Sequence, residues 1–188
     1  MRINFLLPAI IIIAFWFIIR SFNVIYKKQK IVLRQEVINL LFLASVLWII
    51  KMTIFPLEIG VPHKYGINHN FTPFTSMQSM LNHSYFMVPL RNIVGNIILF
   101  MPLGFVLSLK YGRLKSVKRV GIVGLLSSLF IEVSQLFLPI RAFDIDDIIL
   151  NTLGAILGYL VLKTFEKISY KIKGNNKDAL RQHGTNEI

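Results

Sequence analysis

The chain has 188 residues, 54% hydrophobic and 16% charged, with a mean hydropathy of +0.61 and a formal net charge of +12. So apolar a chain of this length argues for several membrane spans and against a single soluble core, and the absence of cysteine excludes disulfides, thiol chemistry and thiolate metal sites. The basic residues fall between apolar runs, as topology signals do, so the partner they imply is membrane lipid, not nucleic acid.

The first apolar run, Ile3 to Ile19, is about 17 residues, near the short limit for crossing about 30 Å of hydrocarbon. It reads as a retained helix: the apolar stretch is long for a signal peptide, Arg2 is the only basic flank, and no small-x-small site follows Ile19. A basic segment, Arg20 to Arg34, comes next. The second run extends from Val37 to about Phe55, where Pro56 stops it, and Lys51 can snorkel from near its end. From Leu57 to Leu90 the composition is mixed, with Pro62, Pro73 and Pro89, and the stretch reads as a long ordered or surface-lying loop. His63, His69 and His83 lie there at spacings of six and fourteen, which fit no helical or zinc pattern, so they read as solvated.

The third run, Asn92 to Leu109, contains Pro102 and Gly104, which predict a bend or loosening that frees a carbonyl. A basic loop with Lys110, Arg113, Lys115, Lys118 and Arg119 precedes the fourth run, Val120 to Leu138. A tight connection, Pro139 to Asp147, leads to the fifth, Ile148 to Leu162. The basic tail beyond it is expected to be disordered past Gly174. The fold class is therefore all-α, a polytopic integral membrane bundle of about five transmembrane helices. Its parts are an N-terminal helix, basic loop and start of the second helix over 1–45, a membrane domain over 46–162, and a basic tail over 163–188. The first and third loops and the tail carry sixteen Lys and Arg against five on the other side, which predicts a multi-pass cell-membrane protein with its N-terminus outside and its C-terminus in the cytoplasm.

In that orientation the polar groups of three spans collect near the outer face. Asn92 and Asn96 share one helical face, as do Glu132 and Gln135, and Asp147 and Asn151. Glu132 stands seven residues before Pro139, about 10 Å below the outer end at 1.5 Å per residue. Four of the nine acidic residues lie between Phe130 and Asn151, and a carboxylate at membrane depth costs about 2.5–3.5 kcal/mol unless partnered. Glu132 reads either as an anchor paired with Arg91, Arg141 or the two asparagines, or as a proton carrier, metal ligand or general base. No histidine in a predicted span partners it, which favours anchoring or ligand binding. Asp144, Asp146 and Asp147 open the fifth run as an acidic cap, with Asp144 the cap itself. Their oxygens together with Glu132 would suit a hard divalent cation, but the spacing matches no metal motif, so no cofactor is expected. Arg91 and Arg141 read as snorkelling anchors or as clamps for a lipid-linked phosphate. Gly124 with Ser128, and Gly154 with Gly158, have the spacing of close membrane-helix interfaces.

The segments Arg91-Asn-Ile-Val-Gly-Asn-Ile-Ile-Leu-Phe-Met-Pro-Leu-Gly104, Ile131-Glu-Val-Ser-Gln135 and Arg141-Ala-Phe-Asp-Ile-Asp-Asp-Ile-Ile-Leu-Asn-Thr-Leu-Gly154 together resemble the VanZ family, small bacterial membrane proteins named for a teicoplanin-resistance protein. The resemblance covers about Val46 to Leu162. Asn70-Phe-Thr-Pro-Phe74 is similar to the family's Asn-x-x-Pro-Phe element, in which Thr72 departs from the usual aliphatic residue. What the resemblance implies is reduced susceptibility to teicoplanin-type glycopeptides through a non-enzymatic effect at the outer membrane face, with glycopeptides or cell-wall lipid intermediates as partners. Two alternatives stand beside it. One is a membrane enzyme acting on a lipid-linked phosphate or cell-wall precursor, with Glu132 or Asp147 as base and an Arg as clamp. The other is a small transporter or accessory subunit with Glu132 as its coupling group.

Overall fold

The computed structural model describes residues 2–58, 60, 68–82 and 85–184, with side chains as far as residue 172. Among them, six helices run in chain order: α1 (Leu6–Ile25), α2 (Leu33–Thr53), α3 (Thr75–Leu81), α4 (Met87–Lys110), α5 (Val117–Gln135) and α6 (Ile145–Gly184). A 3₁₀ turn, Gly112–Leu114, leads into α5, and a two-residue antiparallel pair, β1 (Arg2–Ile3) with β2 (Leu57–Glu58), ties the start of α1 to the end of α2. Among the described residues, four helices are long and apolar enough to cross a membrane: α1, α2, α4 and the part of α6 from Ile145 to Ile172. The fifth long helix, α5, has 19 residues and includes Lys118, Arg119 and Glu132, and it packs along α6 within the same bundle. The architecture is the all-α membrane bundle expected from the hydropathy pattern.

The helices start and stop where backbone chemistry requires, not where apolarity does. α4 begins at Met87, five residues before the expected start, with Pro89 in its first turn where no N–H is needed. α5 begins at the Ser116 cap, whose hydroxyl accepts from the Arg119 N–H at 3.2 Å, and ends at Gln135 instead of Leu138. The expected tail is helical to Gly184, because no proline interrupts it after residue 145 and Lys and Arg are good helix formers. The stretch expected to be a loop holds β2, α3 and the first turn of α4. His63 and His83 lie outside the described residues.

The bundle is organised around α4 against α6, flanked by α5 and α2. In lipid, helices associate by close packing, not by the hydrophobic effect, so small residues set the approach. A Cβ at Gly104 would collide with the carbonyl of Ala155, one at Gly154 with that of Ile97, and one at Gly158 with that of Met101. Gly104 was expected to loosen its helix. Instead α4 is continuous across Pro102, and Gly104 lets two backbones touch, while its carbonyl accepts from the Ser108 hydroxyl at 3.0 Å. Around this contact Phe100, Val120 and Ala155 are fully buried, with Leu103, Leu107, Ile131 and Tyr159 packed beside them. α1 stands apart, with Ala9 its one buried residue. It is held at its two ends, by β1–β2 and the Phe5–Phe55 edge contact at one, and by Arg20 on Glu36 at the other.

Gly158→Val is predicted to lower stability by about 1–3 kcal/mol, the range for overpacking a tight interface. Gly95→Ala, on the same bundle but with open space where its Cβ would stand, is predicted to be neutral or mildly stabilising. Thermal unfolding of the detergent-purified chain measures both.

Candidate functional site

Five helix ends gather at one end of the bundle: the start of α1, the end of α2, the starts of α4 and α6, and the end of α5. There a cavity of about 340 Å³ opens between α2, α4, α5 and α6. Arg91, Asn92 and Asn96 reach it from α4, Glu132 and Gln135 from α5, Asp147 and Asn151 from α6, and Arg141 from the α5–α6 connection. Trp48, Met52, Ile98 and Leu99 supply its apolar wall, with Thr53 beside them. Eight of the ten residues singled out by sequence thus line one space. The other two, Asp144 and Asp146, do not.

Those two aspartates hold chain segments together. The Asp144 carboxylate accepts from the Asp146 N–H at 2.9 Å, the cap position expected of it, and from Asn70 Nδ2 at 2.8 Å. Asp146, 1% exposed, accepts from the backbone N–H of Phe74 at 2.6 Å and of Met77 at 3.0 Å, which caps α3. Phe74 takes a left-handed conformation (φ 68°) as the chain turns into that helix. Asn70 accepts from the Thr72 N–H through its own side chain and forms a parallel bridge with Asp144, with Asn70 N–H on the Phe143 carbonyl at 2.8 Å and Ile145 N–H on the Asn70 carbonyl at 3.0 Å. His69 was expected to be solvated. It is exposed, yet its Nδ1 accepts from the Phe143 N–H at 3.0 Å, and Phe71 stacks on Phe143 beside it.

Glu132 has an anchor, but not the one expected. Neither arginine pairs with it; its Oε2 accepts the backbone N–H of Asp144 at 2.9 Å, and the side chain is 2% exposed. It sits in the last turn of α5, so its burial comes from the connection folding over it and not from 10 Å of helix. Asp147 accepts from Asn96 Nδ2, joining α6 to α4. Asn151 Nδ2 donates to the Ser128 hydroxyl at 2.9 Å, joining α6 to α5, while its Oδ1 is buried without a partner among the described residues. Ser128 was noticed only as a small residue, and its pairing role has no sequence signal beyond that.

Two residues close the end of α2. Gln135 Nε2 donates to the Thr53 carbonyl at 2.9 Å, and Arg141 Nη2 donates to that of Phe55 at 2.9 Å. The Thr53 carbonyl is one that a terminating helix leaves unpaired, and that of Phe55 follows just past the helix end. Arg141 Nε is buried without a partner among the described residues. Arg91 is exposed on the rim and makes no hydrogen bond or ion pair with a described residue. Among the described residues, no group of three or more His, Asp or Glu is placed to hold a metal ion.

The carboxylates therefore divide into holders of structure and pocket groups. Asp146→Ala is predicted to remove two charge-assisted hydrogen bonds, each about 1.5–3 kcal/mol, so amide exchange across residues 70–81 should rise while the core of α4 and α6 stays protected. Asp147→Asn, which keeps an acceptor for Asn96, should leave that segment as slow as in wild type.

A family model described as VanZ/LLP1 matches residues 39–166. The chain is 28% identical over 121 residues to Protein VanZ of Enterococcus faecium, a match covering 63% of this chain and 66% of that protein, just under two thirds of the relative's length. No solved structure matches.

Proposed function

The chain belongs to the VanZ/LLP1 family, and on that premise we propose that it is a membrane protein that lowers susceptibility to teicoplanin-type glycopeptides by engaging a cell-envelope component in its polar cavity. In this reading the cavity opens on the outer face, the N-terminus is outside, the C-terminus is cytoplasmic, and the effect is one of binding, not catalysis. The observation that carries it is the cavity's incomplete pairing. Among the described residues, Arg141 Nε and Asn151 Oδ1 are buried and unmatched, and Arg91 on the rim has no hydrogen-bond or ion-pair partner. A buried polar atom without a partner costs about 1–3 kcal/mol, so a ligand able to satisfy such atoms gains that much on entering. The orientation is supported by charge, since sixteen Lys and Arg lie on the side away from the cavity.

A second reading, a membrane enzyme acting on a lipid-linked phosphate, has its own support. Arg91 and Arg141 frame the same space as Glu132 and Asp147, so an anion clamp and candidate bases are together. Transport has no such support: from Ile97 to Leu109, Val120 to Ile131 and Thr152 to Leu162 the three helices carry no charged residue to relay a proton from Glu132.

In a Gram-positive host, wild type is predicted to raise the inhibitory concentration of teicoplanin, and Arg91→Ala and Glu132→Gln are predicted to return it to the host's level at equal membrane abundance. Glu132→Gln keeps an acceptor for the Asp144 N–H, so the fold should survive it. Unchanged tolerance in both variants would remove the cavity from the account. Release of a phosphate-bearing product from a lipid-linked substrate, lost in the same variants, would select the enzyme.

A further inference from the structure

A second cavity, of about 590 Å³, lies at the opposite end of the bundle, where the end of α1, the start of α2 and the end of α4 meet. Its size falls within the range of about 300–1,000 Å³ typical of ligand pockets. Its wall is chemically distinct from the first. Arg20, Lys30 and Lys110 line it, no carboxylate of the described residues does, and the amides of Asn23, Gln29, Gln35 and Asn39 fill the spaces between.

The three cations are not equivalent. Arg20 is neutralised: its Nε donates to Glu36 Oε2 at 2.9 Å and its Nη1 to Gln29 at 2.8 Å, which also fixes the end of α1 against α2. Lys30 is exposed and has no acidic partner among the described residues. Lys110 is half-buried, with its Nζ 4.4 Å from the ring centre of Phe42 and 5.5 Å from that of Tyr111. Aromatic faces hold an ammonium in place without cancelling its charge. The cavity therefore presents two uncompensated positive charges, one of them pre-positioned, beside hydrogen-bonding amides.

Its setting is amphipathic. Trp16 and Ile19 form the wall towards the bundle's middle, Tyr111 the wall at the end, and α1 is so lightly packed that Ala9 alone is buried. A molecule with an anionic, hydroxylated head can sit among the lysines and amides while its apolar tails leave sideways along α1, whose Ile18, Ile19 and Phe22 are exposed. Basic pockets between membrane helices recognise phospholipid heads by this combination.

The structure assigns to this cavity a binding site for the phosphodiester head of an anionic phospholipid in the leaflet at the basic end. Lys30 and Lys110 take the phosphate, and the amides of Asn23 and Asn39 take headgroup hydroxyls. The assignment does not depend on the function proposed for the other cavity.

The test offers the detergent-purified full chain equal amounts of phosphatidylglycerol and phosphatidylcholine and counts retained lipids by native mass spectrometry. Phosphatidylglycerol is expected to be retained preferentially, and Lys30→Gln and Lys110→Gln should each weaken it about fivefold. The paired control Lys27→Gln with Lys118→Gln, basic residues at the same end but outside the cavity, should leave retention unchanged. Equal retention of the two lipids, or equal loss in control and cavity variants, overturns the assignment. Inorganic phosphate is the separate arm: if it raises the melting temperature and phosphatidylglycerol does not, the site takes a free anion and the lipid assignment fails. Should Lys110→Gln lose helix content by circular dichroism, the exposed Lys30→Glu carries the same reading.

Discussion

Asp144 is the joint on which the polar end of this protein depends. Its carboxylate holds the first free N–H of α6 and the Asn70 amide, while its own N–H is held by Glu132 at the end of α5. One residue thereby connects two membrane helices and the 70–82 segment. The constraint behind it is general: helix ends and loops near hydrocarbon carry backbone groups that water cannot satisfy, so side chains must do so. Here acids serve the N–H groups, with Asp146 on α3 and Glu132 on the connection, while Gln135 and Arg141 serve the carbonyls at the end of α2.

Once these needs are met, what is left over is informative. Asp144 Oδ1 takes the Asp146 N–H and the Asn70 side-chain amide, and the two oxygens of Asp146 take the backbone N–H groups of Phe74 and Met77, so both carboxylates hold chain segments together. Asp147 and Asn96 hold each other across α4 and α6, and Asn151 is bound through its nitrogen alone. The two buried side-chain atoms left without a partner among the described residues, Arg141 Nε and Asn151 Oδ1, both belong to residues lining the cavity. The close glycine-mediated contact of α4 with α6 fixes Asn96, Asp147 and Asn151 relative to one another, so the cavity is shaped by backbone packing as much as by its own side chains. The two ends of the bundle then differ in kind. One gathers acids, amides and two arginines around buried backbone, and the other gathers lysines beside aromatic rings.

Much of this was legible in the sequence, for identifiable reasons. Helical spacing brought Asn92 with Asn96, Glu132 with Gln135 and Asp147 with Asn151, and up-and-down connectivity carried all three pairs to one end. The capping role of Asp144 followed from its place before a helical run. What could not be read were contacts with backbone. Nothing in the spacing of Asp146 says that it caps α3, 69 residues earlier at Met77, since a backbone amide is present in every residue and leaves no pattern. Arg141 suggested an anion partner because Arg usually takes one, whereas a helix end supplied carbonyls. Helix limits were misjudged in the same way: hydropathy marks where a helix meets lipid, and the hydrogen-bond ladder continues past that point at Met87 and beyond Leu162. Gly104 was ambiguous for a related reason, because a glycine that lets a helix bend and one that lets two helices touch look identical in one sequence.

The central claim is that the cavity between α2, α4, α5 and α6 is the working surface and that it faces outward. The chain has no cysteine, so a single Gly95→Cys, placed in the cavity wall where there is room for a side chain, gives a unique handle. The measurement is the teicoplanin tolerance of intact cells expressing this variant, before and after treatment with a membrane-impermeant thiol reagent. The account predicts wild-type tolerance before treatment, labelling from outside, and loss of tolerance as labelling proceeds. Complete labelling with tolerance unchanged, or labelling only after the cells are broken open, would contradict it.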